Sequence, residues 1–192
     1  MGSVIDCFFL EPHPEAEESL RRFVFSTKAV CSSGHGYHNA EITIGRGPWT
    51  EKFNGRGADD FDHADPRWPA TCACGYVFQP EDEWQHNFTQ FWIRTDTGQT
   101  VLLEDAPAGA MWYAPWLEGH GDFANTPDGR VLIVRTPGGE WNIDAKSSNG
   151  GGWTRTGTPP KVTANPSILT GKQADGSWTY HGWLTNGQLI ET

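Results

Sequence analysis

A chain of 192 residues with a formal net charge of −10, ten Trp, ten Phe and only 14 Lys and Arg has the aromatic bulk to fill a core. That excludes a disordered polymer, and the acidic balance disfavours sequence-independent binding to a nucleic-acid backbone, which needs clustered cations. No apolar run approaches the ~20 residues of a membrane span, the opening Met1 to Asp6 lacks the pattern of a secretory leader, and a cytosolic protein with reduced cysteines is expected.

With 23 Gly and 13 Pro, short strands and tight turns are favoured over helices. A first strand is predicted over Ile5 to Leu10, stopped by Glu11-Pro12-His13-Pro14. One N-terminal helix is predicted from Pro14 to Phe25. It has proline at its start, Glu15, Glu17 and Glu18 in its first turn, and Arg21 and Arg22 near its end, as the helix dipole prefers. Asn39 to Gly45 alternates Ala40, Ile42 and Ile44 with Glu41 and Thr43, a strand with one wet face. Residues 46–69 show no period and read as a long surface loop.

Three hairpins follow. Phe88 to Arg94 and Thr100 to Leu103 flank Thr95-Asp96-Thr97-Gly98; Arg130 to Arg135 and Glu140 to Asp144 flank Thr136-Pro137-Gly138-Gly139; Tyr180 to Thr185 and Gln188 to Glu191 flank Asn186-Gly187. Between the last two, the run Ser147 to Gly152 reads as a flexible loop feeding an extended segment. It lacks the lysine and hydroxyl of a phosphate-cradling loop. The fold class expected is mostly β (α+β): an antiparallel sheet or small sandwich built from hairpins, with the helix and a zinc-clipped loop. One domain over 1–192 is expected, allowing a zinc-stabilised N-terminal part (1–80) and a β-hairpin C-terminal part (81–192).

The chemistry concentrates in cysteines and histidines. Cys72 and Cys74 are one residue apart, too close for a good disulfide, yet both sulfurs can face one metal around a turn that Gly75 permits. Cys31 supplies a third thiolate, and His38 is the favoured fourth ligand, with His35, His63 and Cys7 as substitutes. The expected set is therefore Cys31, His38, Cys72 and Cys74 around a structural zinc ion, the competing reading being buried thiols and solvent-facing histidines. Three thiolates and one imidazole leave no place for a reactive water, so the ion is not expected to be catalytic.

Signals for an enzyme are weak. The candidates are Asp144 and His181 with Ser167 or Ser148, but there is no nucleophile elbow, and a histidine among aromatics is more often packed than reactive. Trp112, Tyr113 and Trp116 lie in an uncharged segment that is most simply a buried connection; if exposed, it would be the surface for a protein partner. Residues 76–145 hold eleven acids against Arg94, Arg130 and Arg135, which would suit a basic partner, though acidic loops also serve solubility.

Several stretches resemble a family of uncharacterised proteins from tailed phages and prophages of actinobacteria. They are Ile-Asp-Cys-Phe-Phe-Leu-Glu-Pro at 5–12, Gly-Tyr-His-Asn-Ala at 36–40, Asp-Pro-Arg-Trp-Pro at 65–69 and Cys-x-Cys-Gly-Tyr-x-Phe at 72–78. Asp-Ala-Pro-Ala-Gly-Ala-Met-Trp at 105–112, Pro-Asp-Gly-Arg at 127–130, Asn-Pro-Ser-Ile and Tyr-His-Gly-Trp-Leu complete the likeness. The resemblance covers nearly the whole chain and implies a phage origin, a place in the host cytoplasm or the virion, and no catalytic residue. The function expected is a phage-encoded protein-binding or interaction module stabilised by zinc. The alternatives are a small hydrolase or transferase acting in the host cell, and a virion structural component; no oligomeric state is indicated.

Overall fold

The computed structural model describes residues 2–25, 31–32, 37–48, 62–123, 126–146 and 152–192. It is mostly β, and among the described residues it contains no α-helix, only short 3-10 turns at Pro115–Leu117 and Gly121–Phe123. Among the described residues no helix is long and apolar enough to cross a membrane. The chain forms two compact units, Met1–Glu11 with Trp92–Thr192, and Pro12–Phe91.

The first unit is a sandwich. One sheet has five strands in the order β1-β12-β11-β10-β9: β1 (Val4–Asp6), β9 (Thr154–Thr158), β10 (Lys161–Lys172), β11 (Trp178–Thr185) and β12 (Gln188–Glu191). Its inward positions, among them Val162, Ala164, Ile168, Tyr180, Leu184 and Leu189, share a core with Met111, Leu132, Val134, Trp141 and Ile143. Those partners lie on or beside β6 (Ala110–Tyr113), β7 (Leu132–Thr136) and β8 (Gly139–Asn142), which pair antiparallel in sequence order. Phe8 and Phe9 extend this ladder by pairing parallel with Ala110 and Met111. A second apolar cluster joins Phe8, Leu10, Trp92, Ala110, Trp112 and Ile133.

Two predicted hairpins are fully formed here. The Asn186-Gly187 turn has positive φ at both central residues, 46° and 77°, the twist that suits a two-residue connection. Gly139, with φ 116°, turns β7 into β8. The segment read as a loop feeding an extended chain becomes a further hairpin, with Lys161 to Asn165 paired against Thr158 to Thr154. Ser147 to Gly151 lie outside the described residues.

The second unit is built on β3 (His38–Pro48) with the part of β2 (Phe8–Val24) from Pro12 onward and the part of β4 (Glu83–Arg94) up to Phe91. β2 is where the predicted helix fails. Glu15 to Val24 pair antiparallel with β3 over ten residues, with one irregularity between Glu18 and Ser19. A twelve-residue helix is marginal in isolation. The strand gains that ladder and buries side chains on both its faces: Leu20 and Phe23 are buried, and so is Arg22. Pro12 and Pro14 fall between the pairing with β6 and the pairing with β3, so their missing N–H groups interrupt neither of those two ladders. The strand predicted over Asn39 to Gly45 is present and longer. Of the loop predicted over 46–69, residues 49–61 lie outside the described residues, and 62–69 form turns.

β4 and β5 (Thr100–Val101) make the remaining predicted hairpin, with Trp92 opposite Val101 and Ile93 opposite Thr100.

Candidate metal centre

Four ligand atoms, one each from Cys31, His38, Cys72 and Cys74, all lie within 4.8 Å of one another, and the group could hold a metal ion. The four are the residues that spacing alone singled out. Cys31 Sγ is 3.5 Å from Cys72 Sγ, and His38 Nδ1 is 3.2 Å from Cys74 Sγ.

Local structure explains why the sulfurs converge. Thr71 bridges Val77, Cys72 N–H donates to the Tyr76 carbonyl (2.9 Å), and Gly75 N–H donates to the Cys72 carbonyl (2.8 Å). This is a tight knuckle, and Gly75 closes it with φ 90°, a conformation other residues resist. His38 enters from the first position of β3, opposite Val24 of β2. Its ring stacks on Tyr76, with centroids 4.1 Å apart and planes 9° from parallel. The Tyr76 hydroxyl in turn donates to Asp82 (3.2 Å), which also accepts from Gln79 N–H (2.7 Å). The imidazole is thus aimed by its neighbours. Its Nε2 is buried without a hydrogen-bond partner.

The base of the knuckle is clamped by a residue that sequence patterning missed. The buried Arg22 donates to the Pro69 carbonyl (3.2 Å) and to the Gln79 carbonyl, one on each side of the knuckle. Its guanidinium lies over Trp68 and Phe78, 5.1 and 5.0 Å from their centroids. Phe78 N–H closes the same gap by donating to Ala70 (2.9 Å). A lone arginine inside a run that reads as amphipathic carries no signal of this role.

Electrostatics favour a cation among the sulfurs. Burial pushes the Cys72 thiol up, but N–H groups of Cys74 and Asn39, together with the Cys31 and His38 side chains, outweigh it and bring its pKa down to about 6. The Asn39 N–H lies 3.4 Å from the sulfur. At Cys74 the Tyr76 N–H pulls down, yet burial and the facing sulfurs of Cys31 and Cys72 win and the pKa rises. One sulfur ionises readily and its neighbour is held protonated. A cation relieves that conflict by favouring both thiolates at once.

The substitutes sit elsewhere. His63 stacks on Trp68 (4.1 Å) and meets Trp84 edge-on (5.3 Å). Cys7 belongs to the first unit, packed against its core, where burial pushes its thiol up to about 12. His35 lies outside the described residues.

Among the described residues, Asp144 and His181, considered for catalysis, have separate hydrogen-bond partners. Asp144 is buried, with Oδ1 accepting from Arg155 Nε (2.8 Å) and Oδ2 from Leu132 N–H (2.8 Å). Arg155 also binds Asp128 (2.6 Å). Burial alone would raise the Asp128 carboxyl, and these bonds more than reverse it. His181 is exposed on β11 and its Nδ1 meets the Thr192 hydroxyl (3.0 Å). Ser167 is half-buried on β10, and Ser148 lies outside the described residues. In the aromatic segment, Trp112 is buried in the core and Tyr113 lies under Arg130, whose guanidinium is 3.6 Å from the ring centroid. Only Trp116 is largely exposed there, because β6 directs alternate side chains into opposite cores. No family model, curated protein or solved structure matches the chain.

Proposed function

We propose that the protein is a phage-encoded, non-catalytic binding module whose second unit is stabilised by a structural zinc ion held by Cys31, His38, Cys72 and Cys74. The observation that carries this is the convergence of three sulfurs and one imidazole from three separate stretches of chain. Thiolates with imidazole suit zinc among the common divalent ions. A tetrahedral site with zinc–sulfur bonds of about 2.3 Å has sulfur–sulfur edges of about 3.7 Å, close to the 3.5 Å between Cys31 and Cys72. Four protein ligands close the shell, so the ion holds segments together and offers no place to activate water. The phage setting rests on the motif resemblance, and a binding role agrees with an Asp144 whose oxygens are both engaged by Arg155 and Leu132.

Native mass spectrometry with and without a chelator tests the metal. One zinc per chain is expected, and Cys72→Ala should lose it together with several kcal/mol of stability, since binding energy at such a site is folding energy. A zinc-replete preparation that carries no metal, or a Cys72→Ala variant with unchanged zinc and unfolding midpoint, would refute the structural site.

A further inference from the structure

The outer face of the five-stranded sheet in the first unit is a separate feature. Its inward positions form the sandwich core, and the alternate positions point to solvent. At the centre of the sheet, on β11, stands Trp183, 41 % exposed. Ile190 of β12 pairs with it, and Val4 of β1 pairs with Ile190, so an apolar row crosses three strands. In the next row Asp6, Gln188 and Thr185 lie side by side, and the Gln188 amide donates to Asp6 (2.8 Å).

On the other flank the ladder is interrupted beside the indole. β10 pairs with β11 at Ala164–Leu184 and resumes at Ile168–Gly182. Three residues, Asn165 to Ser167, therefore face the single residue Trp183, and such a bulge re-aims side chains. The bulge comprises Asn165, Pro166 and Ser167, so an amide and a hydroxyl belong to the stretch opposite Trp183, Asn165 exposed and Ser167 half-buried. Beyond them β9 turns Thr154, Thr156 and Thr158 outward, all exposed.

The charge of this face is as informative as its shape. In a chain of net charge −10, the charged or titratable groups among its outward strand positions are Asp6, Lys161 and His181. An anionic polymer would find no cation cluster there. Protein interfaces place their binding energy in Trp, Tyr and Arg, with Ser and Thr under-represented, whereas this face sets Gln188, Thr185, Thr163, Asn165 and the three β9 threonines around the indole, with the exposed Leu169 paired to His181 in the row beyond it. A pyranose has the complementary chemistry: a C–H face that stacks on an aromatic ring, and a rim of neutral hydroxyls that both donate and accept. Outward positions repeat every ~6.8 Å along a strand and ~4.8 Å across strands, so several polar groups surround one stacked ring.

We propose that this face is a platform for a neutral polysaccharide, with one sugar ring on Trp183 and its hydroxyls held by Asn165, Ser167 and the Asp6–Gln188 pair. The proposal supplies the partner for the binding reading above and does not depend on zinc. Native affinity electrophoresis of the full chain, in gels containing mixed-linkage β-glucan, amylopectin or galactomannan, tests it. At least one polysaccharide should retard the wild type. Trp183→Ala should weaken the retardation at least ~10-fold, a loss typical of one aromatic stacking contact, and Gln188→Ala should weaken it less. Both variants should keep wild-type zinc content and unfolding midpoint, because these side chains are exposed. Absence of retardation by all three polymers, or retardation unchanged in Trp183→Ala, would overturn the platform while leaving the metal site standing. So would sedimentation velocity showing a wild-type dimer that Trp183→Ala makes monomeric, since the face would then join two copies.

Discussion

Arg22 illustrates how much a single side chain can decide. Its charge is buried, offset by two carbonyls and two aromatic faces, and burial draws its pKa down without neutralising it. Arg22→Met keeps most of the apolar stem and leaves the Pro69 and Gln79 carbonyls without their donor. Lost hydrogen bonds to a charged group, with the Pro69 carbonyl left buried and Gln79 open to water, cost about 2 kcal/mol. Urea unfolding should show that loss, and competition with a chromophoric chelator should show weaker zinc retention, because the ends of the knuckle are no longer tied. An unchanged urea midpoint would show that the clamp contributes nothing. At the same scale, the candidate metal ligands were legible because sulfur and imidazole are chemically scarce and their spacing is restrictive. Arg22, Tyr76 and Asp82 were not, since they act through neighbours that only folding supplies.

At the scale of elements, turn chemistry was the dependable signal and helix chemistry was not. Gly98 and Gly187 both sit in hairpin turns with nearly equal φ, 74° and 77°, yet their surroundings differ. A Cβ at Gly98 would meet nothing within 4 Å, whereas one at Gly187 would lie 2.5 Å from the Pro160 carbonyl oxygen. Gly98→Ala should cost about 1 kcal/mol, the price of a left-handed backbone alone. Gly187→Ala should cost that plus a further ~1–3 kcal/mol of overpacking against rigid backbone. Thermal unfolding of the two variants side by side measures the difference, and equal midpoints would contradict it. The segment from Pro14 to Phe25 fails in the opposite way. Its acids and arginines satisfy every helix-end preference, but those terms are tenths of a kcal/mol to about 1 each. They are outweighed by a ten-residue ladder with β3 and by burial on both faces.

For the whole molecule, the division into two units predicts an uneven response to metal removal. The first unit has its own sandwich core, whereas the cluster around the knuckle is small: Cys31, Cys72 and Phe78, with four half-buried neighbours. A chelator should therefore abolish amide-exchange protection in β3 and in Glu15 to Val24 of β2 and leave β10 to β12 protected. Hydrogen exchange read by mass spectrometry resolves this, and uniform loss across both units would show that they share one cooperative fold. The β-rich class, the hairpins and the grouping of Cys31, His38, Cys72 and Cys74 as a possible metal site were determined by the sequence itself, because turn geometry and ligand chemistry act over a few residues. Three other outcomes were left to tertiary structure. They are the conversion of an apparent helix into a strand, the burial of Asp144 against Arg155, and the uncovered face around Trp183. Each depends on which distant segment lies alongside, and the free energy of that pairing exceeds the local preference.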